Sequence, residues 1–218
     1  MQLSTIPISN WVRFTIITGL TTIVSYGLAA FVPLPELIGL MFAFAFGPLF
    51  MLSSVGLFKI IRQWRNSISL QVAVLFNIVG SALVTLMLVV QQTLFAFHDK
   101  FKAENRGTVS DEQLTWIFKE VNSIQLGIDM AWDIFISAGT FFFALAMWRH
   151  PVFGKVFSII GIIASILLLI FNMAYFPVPP GEAGSIDFGP LVALWYLALT
   201  IWILMKRKRF FQTFTQQI

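Results

Sequence analysis

Six long apolar runs partition this chain, and they leave it few ways to fold. A hydrocarbon core of ~30 Å takes ~20 residues of helix. Runs of that order occupy about 11–32, 35–61, 70–97, 124–148, 152–176 and 190–205. Inside lipid only helices and closed barrels satisfy their own backbone hydrogen bonds. The runs therefore predict an all-α integral membrane protein, a six-transmembrane-helix bundle forming a single domain over 1–218. Charged residues make up only 11% of the chain against 58% hydrophobic, too few to cover a soluble surface. The first run is too long for the apolar core of a signal peptide and is read as a span.

Charge sorts by side. With six spans, ten of the fourteen Lys and Arg residues fall at the end that carries both termini, the last four as Lys206-Arg-Lys-Arg209. Eight of the ten acids fall at the opposite end. The positive-inside rule then predicts cytoplasmic N and C termini. A net charge of +4 distributed in this way concerns topology and anionic lipid. The expected partner is the lipid bilayer, with no nucleic acid. Cysteine is absent, which excludes disulfides, thiolate metal sites and cysteine nucleophiles.

The connection at 98–123 is the long one. Within it, Ser110-Asp-Glu-Gln113 has the form of a capping box, and Leu114, Ile117, Phe118 and Val121 follow at helical spacing. This predicts an amphipathic outer loop helix that covers the bundle mouth, lies on the membrane or runs straight into the fourth span. In the second span Gly39, Ala43 and Gly47 recur every fourth residue, a pattern that lets helices approach closely. Pro48 follows and predicts a kink.

The two remaining acids, Asp129 and Asp133, lie one turn apart inside the fourth run. A carboxylate at membrane depth costs ~2.5 kcal/mol or more on insertion scales. Asn122, Gln125, Asp129, Asp133, Ser137 and Thr140 share one helix face with them. Uncharged lines run along the third span (Asn77, Ser81, Thr85, Gln92) and the first (Thr15, Thr18, Thr22, Ser25). Depth along each span predicts a ligand- or ion-binding pocket in the outer half, formed by Asp129, Asp133, Gln92, Gln125, Asn172, Tyr26, Ser25 and Tyr175. The plainer reading of the uncharged lines is helix-to-helix hydrogen bonding at ~0.6 kcal/mol each.

Several chemistries lack their residues. Both acids share one helix and no Gly-x-Gly-Asp is present, unlike an intramembrane aspartyl protease. The aspartate series of phospholipid-forming alcohol phosphotransferases is missing. His98 and His150 lie at opposite ends, so they do not jointly ligate a haem or metal, and Lys59 is too close to a span end for a retinal Schiff base. No complete catalytic constellation, cofactor site or metal site emerges.

The stretch Asp133-Ile-Phe-Ile-Ser-Ala-Gly-Thr-Phe-Phe-Phe-Ala-Leu-Ala-Met-Trp-Arg-His-Pro151, followed by Gly154 and Gly161-Ile-Ile-Ala164, resembles a family of uncharacterised bacterial multi-pass membrane proteins. The resemblance runs over about 125–173 and carries Asp133 alone as a shared polar position. It implies a bacterial cytoplasmic (inner) membrane and no particular activity. The residues themselves lead to binding or translocation of a cation, proton or small polar molecule at the two aspartates. The alternative is a non-catalytic subunit or sensor whose aspartates bond a partner helix, in a homo-oligomer or with another membrane subunit.

Overall fold

A computed structural model of the chain describes residues 6–104 and 109–215, with side chains as far as Phe210. It contains six α-helices: α1 (Ile8–Phe31), α2 (Glu36–Trp64), α3 (Ile68–Glu104), α4 (Asp111–Met147), α5 (Gly154–Tyr175) and α6 (Gly189–Thr215). All six are long and apolar enough to cross a membrane, and the chain is a polytopic membrane protein.

Local chemistry explains the breaks. Pro33 and Pro35 separate α1 from α2, and proline disfavours helix in the residue before it. Ser67 Oγ accepts the Leu70 N–H at 3.3 Å, satisfying a free donor at the start of α3. Gly154 turns the chain into α5 at φ +71°, a conformation that suits a residue without a Cβ. At α6 the Asp187 carboxylate accepts the Gly189 N–H at 2.8 Å.

Ser110 and Gln113 form the reciprocal capping box, each accepting the other's backbone N–H at 3.2 Å. The amphipathic stretch that follows is continuous with the fourth span, because no proline interrupts 111–147. α3 likewise continues past Phe97 to Glu104, so the α3–α4 connection is shorter than the 98–123 interval. At 37 residues each, α3 and α4 reach ~55 Å, well beyond a bilayer core. Their ends away from the chain termini form a hairpin held by Phe118, whose ring meets Phe95 at 5.8 Å and His98 at 4.7 Å.

Consecutive helices pack together and α6 closes against α1, giving a ring. The largest buried apolar side chains gather at the end that carries the termini: Ile60 and Ile61 of α2, Leu70 of α3, Phe143 and Met147 of α4, and Phe210 of α6. α2 stays a single helix through Pro48. Gly39 faces open space, whereas Gly47 abuts α3, where a Cβ would fall on the Thr85 hydroxyl and 2.6 Å from the Ser81 carbonyl oxygen. Close approach on α2 therefore begins at Ala43, which is buried, rather than at Gly39.

Candidate functional site

Polar residues inside the ring fall into two groups. The first centres on Asn77 of α3, which is completely buried. Its amide nitrogen donates to Ser54 Oγ of α2 at 3.0 Å and to the Tyr196 hydroxyl of α6 at 2.8 Å. Tyr196 accepts that bond, so its own proton is free for Thr140 Oγ1 of α4, 3.0 Å away. Four helices thus meet through four uncharged side chains. Gly139 makes the approach possible, since a Cβ there would overlap Asn77 Oδ1. Asn77 Oδ1 and Ser137 Oγ remain buried without a hydrogen-bond partner among the described residues.

The second group lies ~10 Å further along α4, toward the end opposite the termini. Asp133 is 7% exposed and Gln125 4%, while Asp129 between them is half-buried. Spacing of four residues stacks all three on one face. The α5–α6 connection, which carries Glu182 and Asp187, lies at this same end of the ring. Carboxyl groups of α4 and of the α5–α6 connection therefore occur at the same end of the ring.

Among the described residues, no hydrogen bond or ion pair engages Asp129, Asp133 or Gln125; the ion pair there is Lys100–Glu104, exposed on the hairpin at 3.9 Å. Neither Asp133 nor Gln125 contributes to the sealed polar atoms that lack partners. No three His, Asp or Glu side chains among the described residues come close enough to share a metal ion.

The other predicted site residues are placed less uniformly. Ser25 is buried but committed, its hydroxyl donating to the Phe42 carbonyl at 2.7 Å to tie α1 to α2. Asn172 is buried and donates to Leu168 O of its own helix at 3.0 Å. Tyr175 is exposed beside Phe171, and Tyr26 is exposed with its ring 5.0 Å from Phe46. Gln92 is half-buried on α3. The threonine line of α1 is buried, and its hydroxyls return to carbonyls of α1 itself, as Thr22 does to Thr18 at 2.6 Å.

Sequence reasoning missed Ser54, Tyr196, Glu182 and Asp187 as parts of these groups. Tyr196 carried a usable signal, because a phenol inside an apolar span needs a hydrogen-bond partner. Glu182 and Asp187 carried none, since a loop acid ordinarily belongs to solvent.

Residues 35–206 match the model of a family described as a domain of unknown function, DUF4386, and the chain belongs to that family. No curated protein and no solved structure matches the chain.

Proposed function

We propose that this DUF4386 protein binds a small cationic solute, or a proton, between α4 and the α5–α6 connection, and that binding there is a step in its translocation. The observation that carries the reading is Asp133: a carboxyl group 7% exposed at membrane depth, with Asp129 one turn away on the same face and, among the described residues, no basic side chain bonded to it. Intramembrane acids are retained where they meet a pathway, a ligand or a partner. Gln125 adds a neutral donor and acceptor one turn beyond Asp129, suited to orienting a hydrated or polar ligand.

The carboxylates are spread out rather than gathered on one point. That arrangement favours a cation met by one or two carboxylates at a time over a chelated divalent metal. With cytoplasmic termini and an inner-membrane setting, the opening would face the outside.

The test uses proteoliposomes holding the full chain. Uptake of rubidium, sodium and methylammonium ions is followed by isotope, and proton flux by an internal dye. The reading expects at least one flux well above that of empty vesicles, abolished by Asp133→Asn in a variant that remains monodisperse. If all four fluxes match empty vesicles, or if Asp133→Asn leaves the active one unchanged, the reading fails. Loss of a co-purifying membrane subunit on the same substitution would instead support the partner-helix role.

A further inference from the structure

The end that carries the termini has an opposite character, and tertiary packing concentrates it. Trp64 at the end of α2 lies 6.2 Å from His150 in the α4–α5 turn. His150 lies 6.0 Å from Phe210 of α6, and Phe153 lies 5.4 Å from the same ring. Trp202 Nε1 donates to Val152 O at 2.8 Å, fixing α6 against the turn. These contacts draw three segments distant in sequence around one aromatic plug.

Each segment is basic. Arg62 and Arg65 flank Trp64, Arg149 and Lys155 flank the turn, and Lys206 and Arg207 precede Phe210. All six are exposed except Lys206, which is half-buried with its ammonium 4.9 Å from the Trp202 ring centroid. Not one Asp or Glu occurs in residues 1–35, 37–98, 134–181 or 188–218, so no acidic side chain of the chain's own sequence accompanies this patch. The exposed apolar residues Val156 and Met205 adjoin Lys155 and Lys206 in sequence. Charge and lipid-facing surface therefore meet at one level.

We propose that this patch binds anionic phospholipid, the phosphodiester headgroup lying against Arg65, Arg149, Lys155 and Arg207 with its acyl chains along Val156 and Met205. Charge complementarity selects the headgroup. Position at the ends of spans selects a bilayer lipid over a soluble anion, because a basic side chain beside a span meets the headgroup layer. Cation–π contact holds Lys206 at that level, leaving the neighbouring guanidinium groups free to pair with phosphate oxygens.

The experiment takes the full chain purified from mixed micelles of phosphatidylglycerol and phosphatidylcholine and weighs the lipid retained. The expected result is several-fold enrichment of phosphatidylglycerol over the input ratio, removed by high salt as screening requires. The combined substitution Arg65→Gln, Arg149→Gln, Lys155→Gln and Arg207→Gln should bring retention back to the input ratio. Replacing Lys100, Lys102 and Lys119 of the opposite hairpin with Gln should leave it unchanged. Absence of enrichment in the native protein, insensitivity to salt, or equal loss in the hairpin variant overturns the proposal. If the patch variant does not fold, the native protein's enrichment and salt response still decide. So does competition by inorganic phosphate: displacement of the lipid at low concentration would identify a soluble-anion site instead.

Discussion

Thr140 and Asp133 are seven residues apart on one helix, yet the polar groups around them meet opposite conditions. Near Thr140, Asn77, Ser54 and Tyr196 close on one another at 2.8–3.0 Å from four helices. Near Asp133 the residue one turn away is a second acid, Asp129, and among the described residues no hydrogen bond or ion pair engages either carboxyl group. The difference teaches that burial alone does not mark a functional residue. A buried polar group with its partners in place is part of the framework. A carboxyl group left without them at membrane depth depends on something the chain does not supply.

His150 extends the comparison to the other end of the bundle. It is 1% exposed, its Nδ1 accepts the N–H groups of Val152 and Phe153 at 3.2 and 3.4 Å, and burial pushes its pKa down to about 4. The unfolded chain takes up this proton near 6.5, whereas the folded chain resists it until about 4. The stability contributed is full above pH 6.5 and falls as pH drops between those values, by roughly 3 kcal/mol in all. Thermal unfolding in detergent as a function of pH measures it. His150→Asn keeps a backbone acceptor without the titration, and should flatten that part of the profile. An unchanged slope would break the reading of His150 as a buried, neutral imidazole of the framework.

The next largest effect belongs to Gly139→Ala. The added Cβ would overlap Asn77 Oδ1, and with the Asn77 backbone N 3.1 Å away there is little room for relief. Overpacking of this kind costs about 1–3 kcal/mol. The change should lower denaturant resistance while leaving Gly127→Ala, at a glycine with open space beside it, as a silent control.

Tyr196→Phe keeps the ring and removes the hydroxyl that links Asn77 to Thr140. Intramembrane hydrogen bonds average ~0.6 kcal/mol, so the loss should be near 1 kcal/mol. Ion flux should persist in this variant.

The smallest effect on stability sharpens the contrast most. Asp133→Asn removes a carboxylate that engages no described partner, and unfolding free energy should change by less than ~0.5 kcal/mol or rise. A loss as large as that of Gly139→Ala would place Asp133 in the framework instead.

Much of the fold was legible because lipid imposes a simple demand. Each apolar run had to become a helix, so the six spans could be located from hydropathy, and the box at Ser110 marked the start of α4. Helix ends were less legible: α3 and α4 continue beyond their apolar segments, where water tolerates polar helix and no residue breaks it. The stripe through Gln125, Asp129 and Asp133 was readable from period alone. Its surroundings were not. Ser25 and Asn172 looked like site residues by depth, yet both spend their side chains on carbonyls.

By itself the sequence determined that this chain spans a membrane as helices, that its charges divide between two ends, and that two acids share one face of the fourth span. Each follows from hydropathy or period along a single segment. Only the tertiary structure decided that Tyr196 reaches Asn77 and Thr140, and that Arg65, Arg149 and Arg207 belong to segments joined around His150. Those outcomes depend on how the helices turn about their axes and which neighbours they meet, and contacts between distant segments settle that.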